Sequence, residues 1–507
     1  MRCRFGQTLV KPESAVPGRP PYRGRRGCGG VNMATAGADF HGRDRLGLDN
    51  RPLAAPVENR HGPVPAGRLL SASGALDGLF ALGLLLSPSS RLRLHGSPIG
   101  PGEFCLLIWL VLMVGRQAAQ LGRPLTPSFT RLLVFWALFA IALSIGTMTA
   151  YAIQDSHDPV WFMHDVVAYP LLASVSCLST VEPDAGAHLH RAAWFLVVLA
   201  SGSLALQLVD AWGLLGAGAD ESWYWNRLRG WSQNPAQLAF LCAALGLLTF
   251  HLAETASRAV ERLAAAACAI MPLFVGWLTK TDAFTLVIVA AGMLFIMLKF
   301  RTWLLLRGRD MTFRTAAAWI ALLAVPLVLG SAALLAPSIT ARTAVLAKAM
   351  SKDEGKTTDQ EARLRFELWS AALSRGVQSG MLGLGPGPHL PIPPSIVAGR
   401  LTEAGQPKDD PHPQANNTPN FEAHDTVLDL FTQGGLLAVL SFLWFVTTAF
   451  FATYKARLAG LTTLLGGLLL FSAFDLIIRY PIFWYSISLC LVAGFEARRT
   501  GLSRNGH

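Results

Sequence analysis

The sequence predicts an all-α, polytopic transmembrane protein of about 12 spans, with one large, partly helical loop on its outer face. Three observations carry this. Of 507 residues, 52% are hydrophobic and only 15% are charged, against about a quarter charged in soluble domains. The apolar residues fall in runs of bilayer length, whereas a soluble α/β enzyme gives shorter runs broken by strand periods. The basic residues gather in the short stretches between alternate runs.

In chain order the predicted spans are 74–90, 103–121, 131–152, 161–178, 192–214, 236–253, 263–279, 283–300, 315–336, 426–453, 458–477 and 481–495. Asp77 and Arg116 intrude on the first two, which have the shortest apolar cores together with the last. Ahead of them, residues 1–73 are rich in Arg, Pro and Gly and lack the apolar core of a cleavable signal peptide. They read as a disordered, basic, cytosolic tail, with Met33 a candidate start. The predicted organisation is this tail, spans one to nine over 74–336, the large loop over 337–425, spans ten to twelve over 426–495, and a cytoplasmic tail over 496–507.

The formal net charge of +11 raises the possibility of a nucleic-acid partner. Its distribution fits a positive-inside bias instead. Arg116, Arg123 and Arg131, Arg258 and Arg262, Lys299 to Arg314, Lys455 and Arg457, and Arg498 to Arg504 all fall on one face in a twelve-span chain. Arg91 and Arg93 are the exception. The seven cysteines form no C-x-x-C pair and read as small buried hydrophobes, with no disulfide framework or zinc site.

Residues 215–235 and 337–425 fall on the outer face and exceed a simple turn; loops as long as the second are uncommon and usually functional or disordered. Leu364, Leu368, Trp369, Ala372 and Leu373 recur at helical spacing, predicting a helix over Glu361–Arg375. A turn follows at Gly383–Pro388, then an irregular Pro- and Asn-rich stretch over 391–420.

Three groups in these stretches exceed what span packing needs. Arg227 and Arg229 lie just above a span beside Trp223, Tyr224, Trp225 and Trp231. Taken alone they read as interfacial anchors. Arg363 and Arg365 lie on the loop helix, where Arg365 shares a face with Trp369. Alone they read as a solvated amphipathic surface. Glu422-Ala423-His424-Asp425 opens the tenth span. It reads equally as a polar cap or as a proton-handling group, with Glu422, Asp425 or Asp429 as partner. Together the groups point to one chemistry: arginines grip a diphosphate by charge-assisted hydrogen bonds, and a histidine deprotonates an attacking hydroxyl. A lipid-linked diphosphate sugar suits such a site, and its leaving group requires no metal or other cofactor.

These residues resemble the bacterial O-antigen ligases and the related O-antigen and exopolysaccharide polymerases. The resemblance rests on Arg227-Leu228-Arg229-Gly230 with Asn234-Pro235, on Arg365 with Trp369, and on Gly383, Gly385 and Gly387. It continues in Ala423-His424-Asp425 and the following Gly434-Gly435-Leu436-Leu437. Residues 190–460 carry it. Two positions depart from the family pattern. Thr279-Lys280-Thr281-Asp282 stands where the family often has Ser-Arg, so Lys280 either supplies that charge or the role is lost. Asp425 replaces an Asn after the histidine, and either acts on His424 or caps the helix.

The resemblance implies a metal-independent, inverting glycosyl transfer on the periplasmic face of the bacterial inner membrane. The donor is an undecaprenyl-diphosphate-linked glycan. His424 is the expected general base; Arg227 or Arg229, with Arg365, hold the diphosphate, and Arg363 assists. The reading carried forward is a polymerase, with the growing glycan as acceptor and a chain-length regulator as possible partner. The alternatives are a ligase with a lipid A-core acceptor, a multi-span transporter using Asp475 and Arg479, and a non-catalytic scaffold.

Overall fold

A computed structural model describes residues 72–93, 99–119, 124–155, 159–214, 222–224, 226–307, 355–391 and 421–504. All of them belong to one compact unit, Leu53–His507. Residues 1–71 of the N-terminal tail and the expected span 315–336 lie outside the described residues, and the last two residues assigned to the tail begin the first helix.

The described chain is almost wholly helical. It runs α1 (Ala72–Leu86), α2 (Pro101–Ala118), α3 (Pro127–Ile153), α4 (Pro159–Leu178) and α5 (Ala185–Ala211). A two-strand antiparallel hairpin follows, β1 (Trp223–Tyr224) and β2 (Arg227–Leu228). Next come α6 (Pro235–Thr255), α7 (Ala259–Leu278) and α8 (Asp282–Arg307). Then α9 (Gly355–Gln378) precedes α10 (Thr426–Lys455), α11 (Ala459–Phe471) and α12 (Pro481–Arg504).

Seven of these helices are long and apolar enough to cross a membrane: α2, α3, α5, α6, α7, α8 and α10. Apolar segments of α1, α4 and α11 are shorter. The protein is therefore an all-α membrane protein. The expected loop helix over Glu361–Arg375 is longer at both ends, as α9.

Local chemistry sets the helix starts. Thr126 caps α3 by accepting from Phe129 N at 3.1 Å, and Asn234 caps α6 by accepting from Ala236 N at 2.9 Å. Each is followed by proline at the first helical position, where a missing N–H costs nothing. Burial sorts the helices into a centre and a rim. The hydrophobic window of α6 is 78% buried, against 28% for α7 and α8, so α6 is the bundle's central helix. Outward-facing apolar side chains such as Val111, Met148 and Ile296 suit a lipid surface.

The charges that intrude on the early spans are paired. Asp77 accepts from Arg191 Nε at 2.8 Å and lies 3.0 Å from His188, while Arg116 reaches Glu182 at 2.9 Å. Arg93, an exception to the positive-inside pattern, is bound to Glu103 at 2.8 Å.

The loop between α9 and α10 is built into the bundle through a break in α10. Gly435 has φ 63° and ψ −158°, a backbone state open essentially to glycine alone. The break frees the Thr432 and Gln433 carbonyls from helical duty. They accept instead from Leu384 N and Gly385 N, both at 2.8 Å, and Leu436 N donates to Met381 O at 2.9 Å. A broken helix at membrane depth is tolerated when protein satisfies its backbone in this way. Beneath the loop, Leu368 and Ala372 of α9 bury against Leu390 and Ala423, with Trp369 beside them. Leu373, placed on the same face by its spacing, is exposed instead.

Candidate functional site

The His424 segment is shaped by a carboxylate behind it. Asp429, buried in the first turn of α10, accepts from Ala423 N at 2.8 Å and from Asp425 N at 3.3 Å. Asp425 caps α10, accepting from Val427 N and Leu428 N at 2.9 and 3.0 Å. The departure from the family's asparagine is thus a helix cap. Between these anchors His424 takes a left-handed backbone, φ 53°, which costs a non-glycine residue about 1–3 kcal/mol and clusters at functional sites. Its ring stands edge-on to Phe421, 5.1 Å between centroids, and stays partly exposed. Phe421 itself bridges to Leu390 through two backbone hydrogen bonds.

The turn between α11 and α12, residues 472–480, lies against this segment. Thr426 N donates to Ser472 O at 2.8 Å, and the Thr426 hydroxyl donates to Asp475 O at 2.6 Å and accepts from Ile477 N at 3.0 Å. The Asp475 carboxylate accepts from Tyr480 OH at 3.0 Å. One residue earlier, the Phe474 ring lies 5.6 Å from the Arg365 guanidinium of α9. The segment carrying His424, through Thr426, and Arg365 of α9 therefore meet one turn from two different elements.

Arg479 ties that turn to two more elements. It binds Glu422, two residues before His424, and Asp165 of α4 at 2.6 Å. Asp165 also accepts from Gly387 N at 3.1 Å and lies 3.2 Å from His164 Nδ1. The sequence sets Arg479 beside Asp475 as candidates for a transport pathway. The carboxylate partners of Arg479 are Glu422 and Asp165, while Asp475 accepts from Tyr480, so each is committed to holding the turn.

A second ion cluster fixes the glycine turn. Arg375 of α9 donates to Asp155 at 2.9 Å, and His389 Nδ1 lies 3.7 Å from the same carboxylate. His389 Nε2 is 2.8 Å from Gly385 O, and because a carbonyl only accepts, that nitrogen carries a proton. His389 and then Arg375 hold the Asp155 carboxyl below the usual carboxylate range, against the upward push of burial.

The other arginines sit elsewhere at the same end of the bundle. Tyr480 stacks on Phe240 of α6 at 4.9 Å, and Phe240 meets Phe471 of α11 at 5.2 Å. The turn thus lies near the start of α6, which directly follows the hairpin. Arg229 lies over Tyr224 of its own hairpin at 5.7 Å, and β2 packs on α7. Arg227 and Arg229 therefore belong to the α5–α6–α7 side of this end. Lys280 is exposed in the α7–α8 turn, with φ 49°. Arg363 lies on α9 two residues before Arg365, and its side chain is outside the described residues, as is the irregular stretch 392–420.

Sequence reasoning passed over Asp155, His164, Asp165 and His389. The available signal was weak: an ionisable pair inside an apolar run at His164-Asp165, which in a membrane protein marks a functional or structural partner.

Residues 265–443 match the family described as O-antigen ligase. The matched segment contains Lys280, Arg363, Arg365 and His424, and lies after Arg227 and Arg229. The match covers 179 of the 507 residues, and it is that segment which is similar to the family. No curated protein matches the chain.

Proposed function

We propose that the protein is an inner-membrane glycosyltransferase that moves glycan from an undecaprenyl-diphosphate carrier to a hydroxyl acceptor, with its site facing the periplasm. What supports this reading is that the segment carrying His424, through Thr426, and Arg365, through Phe474, both meet the 472–480 turn. His424 takes the proton of the acceptor hydroxyl as its oxygen attacks the anomeric carbon. The bond from that carbon to the diphosphate oxygen breaks, and its electron pair leaves on the diphosphate. Attack opposite the leaving group inverts the anomeric centre. Arg365 receives the developing diphosphate charge, with Arg363 beside it, and Arg227, Arg229 and Lys280 add positive charge at the same end. The diphosphate leaves already charged, so the step runs without a metal.

Orientation follows from charge. Arg131, Arg258, Arg301, Lys455 and Arg498 lie at helix ends opposite His424, and such residues favour the cytosol.

Acceptor identity separates two products. A polymerase passes the growing chain to the next carrier-linked repeat, and this is the reading carried from the sequence. The alternative is a ligase that passes finished glycan to lipid A-core, and the family match supports the two readings equally. One experiment tests both: the glycan profile of a strain lacking the gene, complemented with wild type or His424→Ala. Single repeats accumulating on the carrier indicate a polymerase; long glycan stranded on the carrier indicates a ligase. His424→Ala is expected to match the empty strain, and full restoration by that variant rules out His424 as base.

A further inference from the structure

At the end of the bundle opposite His424, a cavity of about 560 Å³ opens between α3, α10 and α12. Its wall is the outer face of the second half of α10, where Leu440, Trp444 and Phe451 are 55%, 42% and 49% exposed. Its rim is basic: Arg131 of α3, Lys455 of α10 and Arg498 of α12. The glycan-transfer chemistry uses none of these residues; the three cations enter that reading only through membrane orientation.

Two features separate this groove from ordinary lipid-facing surface. The first is unneutralised charge. The Arg131 and Arg498 guanidiniums lie 4.3 and 5.8 Å from the centre of one ring, Phe495, so two like charges gather at a single aromatic side chain. Each donates to a backbone carbonyl, Arg131 to Pro127 O at 3.2 Å and Arg498 to Phe451 O at 3.1 Å. Among the described residues lining the groove there is no carboxylate. Clustered guanidiniums of this kind suit an anionic oxygen group. The second feature is length. Along α10 from Leu440 to Lys455 the rise is about 22 Å at 1.5 Å per residue. One leaflet, headgroup region included, measures about 20–22 Å. The cations stand at the water end of that length and the apolar wall covers the rest.

We infer that this groove is a binding site for a diacyl phospholipid with an anionic headgroup. The phosphate sits among Arg131, Lys455 and Arg498, and one acyl chain lies along Trp444 and Leu440. Basic pockets between spanning helices hold anionic headgroups in this way. The lipid bridges α3, α10 and α12 at the end where their side chains leave the groove open.

The test uses the full chain, purified and delipidated in a neutral detergent. It is titrated with dioleoyl phosphatidylglycerol or dioleoyl phosphatidylcholine, and retained lipid is read by native mass spectrometry. Wild type is expected to retain phosphatidylglycerol about tenfold or more better than phosphatidylcholine. Arg131→Gln/Lys455→Gln/Arg498→Gln should remove that preference and leave phosphatidylcholine retention unchanged. Thr447→Trp keeps all three cations but fills the groove; it should lower phosphatidylglycerol retention at least as far, and it serves if the triple variant does not fold. Equal retention of the two lipids by wild type overturns the inference. So does an undiminished preference in either variant, or cross-linking that finds a second copy of this chain seated on Trp444 and Phe451.

Discussion

Replacing Gly435 by alanine attacks the joint between the loop and the bundle. Two costs add. The φ 63°, ψ −158° backbone is nearly closed to residues with a Cβ, which costs about 1–3 kcal/mol. A Cβ there would also fall 2.5 Å from the Leu382 carbonyl carbon and 2.8 Å from Leu382 Cα, and against Met381 O. These are backbone atoms and cannot swing aside, so overpacking adds about 1–3 kcal/mol. The total is about 2–6 kcal/mol, a large share of the roughly 5–15 kcal/mol that holds a folded protein together. Relief by straightening α10 would return the Thr432 and Gln433 carbonyls to helical bonds and break their bonds to Leu384 and Gly385. The control is Gly292→Ala in α8, where a Cβ meets nothing within 4 Å and alanine should stabilise by about 0.5–1 kcal/mol. The assay is apparent melting temperature in one detergent at one scan rate, because membrane proteins commonly unfold irreversibly. The expected order is Gly292→Ala at or above wild type, with Gly435→Ala far below both. Gly435→Ala melting level with wild type refutes the account of the joint.

Two further perturbations read the ion clusters. Arg479→Gln leaves the carboxylates of Glu422 and Asp165 facing one another with their shared cation gone; Asp165 is fully buried and Glu422 is 19% exposed. Loss of one partner from a buried pair costs about 3–5 kcal/mol, so a lower melting temperature and reduced glycan output are expected, and a variant equal to wild type in both refutes the anchoring role. Asp155 is a depressed carboxyl, so its stabilising contribution is full above the unfolded value of about 4 and is lost as the pH falls through the lower folded value. The melting gap between wild type and Asp155→Asn should be largest near neutrality and shrink below about pH 4; a gap that widens on acidification contradicts the assignment.

The helices were legible because bilayer burial writes itself locally, as uninterrupted apolar length. The Asp425 cap was legible for the same reason, since it acts on residues two and three positions away. The loop helix was found but underestimated, because the sequence N-terminal to Glu361 is polar and carries no apolar periodicity. What the chain does not write locally is pairing at a distance. Arg479 meets Asp165 across 314 positions and Tyr169 meets Gln433 across 264. No spacing rule could have separated Arg479's true partners from nearby Asp475. The hairpin arginines show the converse. Their motif was plain in the sequence, yet Arg229 stacks on its own Tyr224, on a different side of the end from Arg365.

The bridge between Leu390 and Phe421 has a consequence for loop length. Its two backbone bonds, at 3.1 and 2.6 Å, tether both ends of the intervening stretch to each other. The cost of closing such a stretch grows only by about 0.6 kcal/mol for each doubling of its length. A change in the number of residues between Leu390 and Phe421 therefore carries a small closure cost, so the clasp, three residues before His424, tolerates variation in length that a packed helix would not.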